Sequence, residues 1–272
     1  MAKNEEAVKQ DSAAERRANI IEKIKEFRLL DDDFMSKVFE DNIPATELLI
    51  HIIIGKSDLK VQTVQTQYVV KSLQGRSIRM DIHAVDADGK QYNFEIQRAD
   101  KGAGAKRARY NSGMMDANFL LSGQDTDDLP ETYVIFITEN DVLKRGLPIY
   151  HIDRIVAETG ESFGDGAHIL YVNAKYRGDS DVGRLMADFS CTNPREMNYE
   201  VLAKRVSYFK EDKEGLNIMC RAVEELCNES LIEGFVEACK GFGASIGDTV
   251  KRVVQKFELS ESVAEEKVKK YW

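Results

Sequence analysis

The sequence predicts an α/β protein with a mixed sheet, and two features in the middle of the chain lead to this prediction. Side chains in Ile78–Val85 and Tyr92–Gln97 alternate between apolar and polar, which is the period of two that strands have. Thr132–Thr138 is a continuous apolar run, typical of a central strand covered on both faces. Because segments with helical spacing precede and separate the strands, the predicted order is α-β-β-β-α-β, which excludes a helical bundle and a repeat array.

Helices are predicted before the sheet. Residues 1–30 are highly charged, and one apolar stripe within them predicts an exposed N-terminal helix. The run Asp31–Asp33 is predicted to cap the next helix, because carboxylates accept hydrogen bonds from the free N–H groups at a helix start. Pro44 and Gly55 mark the start and the end of a third helix. Its predicted buried face is Leu48, Leu49, Ile52 and Ile53.

The strands that follow are predicted to form a hairpin. Val61–Val70 is rich in Val, Thr and Gln and suits a first strand. Asp86–Gly89 is a strong hairpin signal between the two alternating segments. If the loop is Ala87–Gly89, with its glycine left-handed, Asp81 opposes Glu95 across the hairpin.

The rest of the chain is predicted to add a helix, two strands and a helical end. Ile149–Ile152 and His168–Val172 are predicted strands, and the pattern is helical from Arg195 onward. The helix that follows the hairpin has an apolar face at helical spacing, formed by Tyr110, Met114, Ala117 and Leu121, with Gly123 as its predicted end. The predicted parts are an N-terminal helical extension at 1–30, an α/β domain at 31–192 and a C-terminal helical region at 193–272.

Composition excludes several classes of protein. The chain has 272 residues, 43% of them hydrophobic and 31% charged, as in an ordinary globular protein. Its first residues lack the apolar core of a signal peptide, and the four cysteines form no CxxC pair, so we expect a cytoplasmic protein with reduced thiols. No apolar run is long enough to span a bilayer. With a net charge of −9, any contact with nucleic acid must be local.

The polar face of the predicted hairpin is a candidate metal site. Because side chains alternate across a strand, Asp81 and Glu95 are expected on one face, close enough to repel each other unless a cation lies between them. A hard divalent cation such as Mg²⁺ takes oxygen ligands and would suit this pair. The alternative is a solvated outer face, on which Asp opposite Glu would be an unfavourable choice.

Four segments in this order resemble the PD-(D/E)xK nuclease superfamily, and in particular its Rpn-type branch of recombination-promoting nucleases and transposases. The resemblance covers about Asp33 to Tyr208. The segments that carry it are Gly75–Ile82, Tyr92–Arg98, Lys106–Asn111 and Thr132–Thr138. The resemblance implies a restriction-endonuclease-like core within residues 31–192, and metal-dependent hydrolysis of phosphodiester bonds in DNA.

The resemblance also implies roles for particular residues. Asp81, Glu95 and the carbonyl of Ile96 would hold Mg²⁺ or Mn²⁺, which lowers the pKa of a bound water and neutralises charge on the leaving oxygen. Glu47, on the helix before the strands, is a candidate extra ligand or water-holder, and the alternative is an exposed helix charge. Gln97 stands where the superfamily motif has Lys, so it can hold water but supplies no charge.

A cluster of cations beside these carboxylates is a candidate DNA contact. Its members are Arg98, Lys101, Lys106, Arg107 and Arg109. On a helix, Lys106 and Arg109 are three residues apart and face together, so they could bind DNA phosphates beside the metal. The alternative is a solvated helix start, the usual fate of a charge cluster.

Two functions of different classes are consistent with these residues. The first is a metal-dependent DNA endonuclease linked to recombination, mobile elements or defence. The second is a catalytically weak or inactive module with the nuclease fold, which binds DNA or another protein. The last two helices, on either side of Leu259 and Ser260, could be a helix-turn-helix, could pack on a neighbouring element, or could form a homodimer.

Overall fold

The computed structural model describes residues 2–72, 75–98 and 102–272. Within these residues the strands form one six-stranded sheet in the order β1-β2-β3-β4-β6-β5. The strands are β1 (Val61–Val70), β2 (Ile78–Asp86), β3 (Gln91–Gln97), β4 (Thr132–Thr138), β5 (Ile149–Ile152) and β6 (Ala167–Asn173). The helices are α1 (Ala2–Glu26), α2 (Asp32–Phe39), α3 (Ile43–Ile54), α4 (Ala105–Phe119), α5 (Asp181–Ser190), α6 (Glu200–Glu211), α7 (Lys213–Gly241), α8 (Ile246–Phe257) and α9 (Glu261–Tyr271).

The sheet is mixed, as the sequence predicts. Strands β1, β2 and β3 form an antiparallel meander, β4 joins β3 in parallel, and β6 joins β4 in parallel. Strand β5 pairs with β6 in the antiparallel sense at the edge. The order α3-β1-β2-β3-α4-β4 confirms the predicted restriction-endonuclease-like core.

The centre of the sheet is buried on both faces. Every residue of β4 is buried, which confirms that it is a central strand. On one face Val134 and Phe136 form a cluster with Ala108 and Met115 of α4, so α4 packs there. Alternation leaves Ile135 on the opposite face, where it is also fully buried.

Two predicted helix faces are wrong in part. In α4 the pattern places Tyr110, Ala117 and Leu121 in the core, but all three are exposed, Tyr110 to 40% and Leu121 to 66%. The helix ends at Phe119 and does not reach Gly123. The helix instead buries Ala108, Asn111, Ser112, Met114 and Met115. In α3, Leu49 and Ile53 are buried as predicted, whereas Leu48 and Ile52 are only half-buried. A polar contact sets the buried face of α4, because Asn111 is turned inward and donates to the carboxylate of Glu95 in β3.

Residue contacts divide the chain into two compact units. One unit contains Met1–Ile24 with Lys213–Trp272, and the other contains Lys25–Asp212 with the whole sheet. The predicted domain boundaries, after residues 30 and 192, stay a prediction. No helix among the described residues is long and apolar enough to cross a membrane.

A buried lysine holds the end of α1 within the larger unit. Lys210 of α6 is 5% exposed, and its ammonium group donates to three backbone carbonyl oxygens. The acceptors are Lys25 at 2.9 Å, Phe27 at 2.5 Å and Thr192 at 2.6 Å. These bonds satisfy a charge that would otherwise be costly to bury, and they fix the segment from which α2 begins.

The smaller unit places three helices around an apolar cluster. Helices α7, α8 and α9 bury Ile232, Val236, Val253, Ala264 and Val268 between them. Helix α8 ends at Phe257 and α9 begins at Glu261, so the predicted break at Leu259 and Ser260 is confirmed.

Candidate functional site

The hairpin between β2 and β3 sets the geometry of the site. Gly89 has φ +83°, and the N–H of Asp86 donates to the carbonyl of Lys90 at 3.2 Å, so the loop is the predicted three-residue one. The ladder pairs His83 with Asn93 and Ile82 with Phe94. The next pair in this register is Asp81 with Glu95, on the same face as His83 and Asn93.

Both carboxyl groups of this pair are buried, so a solvated outer face is excluded for them. Asp81 is 6% exposed and Glu95 is fully buried. Burial raises the pKa of Asp81 to about 7, and the neighbouring Glu95 carboxylate contributes to the rise. Burial also raises the pKa of Glu95, while the positive charge of Arg107 opposes that rise.

Backbone and α4 together hold the two carboxyl groups. The N–H of Ile96 donates to Asp81 at 2.8 Å. Glu95 accepts from Arg107 at 2.5 Å through one oxygen and from Asn111 at 3.2 Å through the other. Because Arg107 and Asn111 are four residues apart on one helix, they reach the same carboxylate together.

These groups line an open cleft of about 1340 Å³. Asp81, Glu95, Ile96 and Gln97 lie within it, together with the first three turns of α4. The cations that line it are Arg76, Arg79, Lys106, Arg107 and Arg109. Among the described residues, Arg107 is the only one of these that makes an ion pair, although the charge of Arg79 also acts on Asp33. The charges of Arg76, Lys106 and Arg109 are therefore available to bind a polyanion. The cations that line the cleft include Arg76 and Arg79, which are not among the candidate DNA contacts predicted from the sequence.

A third carboxylate, Asp32, also lines the cleft. Its negative charge also raises the pKa of Asp81 and of Glu95, although burial is the largest cause of both shifts. Gln67, at a left-handed position of β1 with φ +55°, donates to Asp32 at 3.2 Å. The run Asp31–Asp33 was interpreted only as a helix cap, and residues distant in sequence bring Asp32 to the site.

The predicted cap has a different role. Asp31 is the N-cap residue of α2, but its side chain makes no capping bond there. It accepts instead from the N–H of Arg28 at 2.7 Å and from Arg98 at 2.7 Å. Arg98 also reaches Glu139 at 3.4 Å. Arg98, a candidate DNA contact, therefore lies in an ion-pair network that ties the start of α2 to the ends of β3 and β4.

The remaining candidates divide between the cleft and other places. Gln97 is half-buried in the cleft, and its amide lies so close to Gly102 that a side chain there would overlap the amide oxygen. Glu47 does not line the cleft, because it accepts from the N–H of Val61 at 2.9 Å at the start of β1. Lys101 lies outside the described residues.

The donor set is suited to a hard divalent cation. No group of three or more His, Cys, Asp or Glu side chains that could hold a metal is found among residues 2–72, 75–98 and 102–272. Mg²⁺, however, commonly binds through one or two carboxylates and fills its other positions with water and substrate phosphate. Two buried carboxyl groups, one with its pKa raised to about 7, open to a cleft and fit that pattern.

A sheet of this topology, with a carboxylate pair on its central hairpin, is typical of nuclease folds, and the comparison with protein families agrees. The family model described as PD-(D/E)XK nuclease family transposase matches residues 39–177. The chain belongs to this family, so its function is of the nuclease type. The comparisons with curated proteins and with solved structures gave no match.

Proposed function

We propose that the chain is a metal-dependent DNA endonuclease that acts in recombination, in mobile elements or in defence. The observation that carries the proposal is the buried pair Asp81 and Glu95, which opens to a cleft lined by free cations. Membership of the nuclease family supports a phosphodiester substrate. The word transposase in the family description favours a link to mobile elements.

In this proposal Asp81, Glu95 and the carbonyl of Ile96 bind Mg²⁺ or Mn²⁺. Such a cation, when bound, lowers the pKa of a water and neutralises charge on the leaving oxygen. The Ile96 N–H holds Asp81 in place through its 2.8 Å bond, and Asn111 does the same for Glu95. Gln97, whose amide also lies in the cleft, orients water but contributes no charge.

The DNA backbone is proposed to lie along the cations of α4, along Arg76 just before β2 and along Arg79 at the start of β2. Lys106 and Arg109 are exposed on the first turns of α4, and Arg76 and Arg79 also line the cleft. The phosphate groups would bind these side chains, and the contacts would fix the scissile bond over Asp81 and Glu95.

The test is nicking of a supercoiled plasmid with and without Mg²⁺ or Mn²⁺. The wild-type chain is expected to nick only with metal, and Asp81→Asn and Glu95→Gln are expected to abolish nicking. Asp88→Asn, which removes an exposed carboxylate of the hairpin loop, is the matched control and is expected to retain it. Nicking by Asp81→Asn at the wild-type rate would reveal another site or a contaminating nuclease and would refute the proposal.

The second function, a module that binds without cleaving, is favoured by two observations. Position 97 carries Gln where the motif has Lys, and Glu95 is already paired with Arg107. DNA binding that is tight, salt-dependent and free of metal-dependent nicking would select this function over the first.

A further inference from the structure

Arg107 is held at three points beside the candidate metal ligands. Its guanidinium donates to Glu95 at 2.5 Å and to the carbonyl of Gly102 at 2.9 Å. It also lies over the ring of Phe136, 5.8 Å from the centroid. The side chain is nevertheless 43% exposed and lines the cleft, so the fixed charge faces the place where a phosphate would bind.

Arg107 differs from the other cations of the cleft. Its charge acts on both carboxyl groups of the pair, opposing the rise in the pKa of Asp81 and of Glu95. Lys106 and Arg109, its neighbours on α4, make no ion pair with a described residue. Because two of its donor groups already have acceptors, Arg107 is a poorer phosphate clamp than they are, and its position is better defined.

Position 97 and Arg107 meet at the same glycine. The amide of Gln97 lies against Gly102, and the carbonyl of Gly102 accepts from Arg107. A neutral amide and a positive guanidinium are thus adjacent on the cleft wall. The charge that the family motif places at position 97 is absent there, and an equivalent charge is present next to it.

We propose that Arg107, from α4, supplies the positive charge that Gln97 does not supply. This inference rests on the proposed nuclease function. It assigns Arg107 to the reaction centre, whereas Lys106 and Arg109 bind the DNA backbone. Arg107 acts on the reacting groups through its fixed charge, which reaches both carboxyl groups of the pair.

The experiment compares Arg107→Gln, Arg107→Lys, Arg109→Gln and the double variant Arg107→Gln/Gln97→Lys in the full chain. Arg107→Gln is expected to lower the rate of cleavage at saturating DNA by roughly 10²-fold, in the range seen for loss of one charge-stabilising group. Arg107→Lys should keep only part of the rate, because lysine keeps the charge but loses the two-point contact with Glu95 and Gly102. Gln97→Lys in the double variant should recover at least about tenfold of the loss. Arg109→Gln should instead weaken DNA binding and reduce its salt dependence.

Calorimetry of Mg²⁺ binding without DNA separates this role from a merely structural one. Arg107→Gln removes a like charge from the metal's neighbourhood, so its Mg²⁺ affinity should be equal to or several-fold higher than that of the wild type. Weaker Mg²⁺ binding, or failure of Gln97→Lys to restore any rate, would overturn the inference. If the wild type binds Mg²⁺ but never cleaves, the proposed function fails, and the calorimetric result still decides the placement of Arg107.

Discussion

At the scale of single residues, the ionisation of Asp81 makes the stability of the fold depend on pH. The unfolded chain returns this carboxyl to its ordinary pKa of 3.8, whereas burial in the fold raises the pKa to about 7. Protonated Asp81 therefore stabilises the metal-free fold at low pH. That contribution is complete below about pH 4 and is lost as the pH rises through 7.

We expect Asp81→Asn to become more stable relative to the wild type as the pH rises from 4 to 8, because asparagine cannot ionise. The relative gain should be roughly 1–4 kcal/mol. Urea unfolding of both proteins in chelator at several pH values measures it. Saturating Mg²⁺ should raise the wild-type stability at pH 8 and leave Asp81→Asn unchanged. If the unfolding free energies of the two proteins changed with pH in the same way, a buried Asp81 carboxyl with a raised pKa would be contradicted.

Glu47 gives a second test at the scale of single residues, because its side chain is expected to stabilise the fold without binding the metal. Its side chain accepts from the N–H of Val61 and lies near Lys60 at 3.7 Å, at the loop end of β1. Glu47→Ala should cost about 1 kcal/mol of unfolding free energy through the lost hydrogen bond. Metal-dependent nicking and Mg²⁺ affinity should stay at wild-type levels. A variant that folds but loses Mg²⁺ affinity would restore Glu47 as a candidate ligand.

At the scale of elements, α4 performs two tasks with different faces. Its inward face carries Asn111 to Glu95, and its first exposed turns carry Lys106 and Arg109 into the cleft. One helix therefore couples the buried carboxylate to the surface that meets the substrate. A rotation of α4 by one residue would break both functions at once.

The orientation of α4 can be tested by stability. Asn111→Leu should cost roughly 1–3 kcal/mol, because it leaves an oxygen of buried Glu95 without its donor. Ala117→Glu should change the unfolding free energy by less than about 0.5 kcal/mol, since Ala117 is exposed. Thermal or urea unfolding gives both values. The reverse ranking would mean that α4 buries its apolar stripe, as the sequence pattern alone predicts.

The exposed cations of α4 predict a salt-dependent loss of DNA affinity. Lys106→Gln and Arg109→Gln should each weaken metal-free DNA binding and lower the slope of log affinity against log salt by roughly one phosphate contact. Arg145→Gln, an exposed cation in the loop before β5, is the matched control and should leave the slope unchanged. Equal slopes for all three variants would move the DNA contact away from this helix.

Sequence patterns predicted the strands well because strands carry a local signal. The period of two and the hairpin signal place β1, β4 and the pair Asp81 and Glu95 correctly. The face of α4 was missed because its decisive contact, Asn111 to Glu95, spans 16 residues and replaces apolar burial by a polar one. Asp32 was missed for a similar reason, since its bond to Gln67 spans 35 residues and depends on a left-handed residue in β1.

At the scale of the whole molecule, the carboxylates and the cleft belong to the unit Lys25–Asp212, and α7, α8 and α9 belong to the other. The smaller unit exposes large apolar side chains. Leu231 is 58% exposed and Phe242 is 91% exposed. A homodimer through the C-terminal helices, one of the alternatives for this region, would cover such side chains.

Light scattering on the full chain and on residues 25–212 tests whether the C-terminal helices form a homodimer. The full chain is expected to be a dimer, and the fragment a monomer that still binds Mg²⁺, because every candidate ligand lies within it. Phe242→Asp with Leu231→Asp should make the full chain monomeric without loss of helix content. A monomeric wild-type chain would exclude the homodimer.

The ammonium of Lys210 has a consequence for how the protein is made. It donates hydrogen bonds to the carbonyls of Lys25 and Phe27, although Lys210 lies 185 and 183 residues further along the chain than they do. During synthesis these two bonds can therefore form only after the ribosome has released α6. The hairpin can form much earlier, because its two strands are consecutive. A nascent chain that stalls before α6 would emerge with its hairpin formed and without the Lys210 bonds, so this fastening of the segment ahead of α2 depends on translation through residue 210.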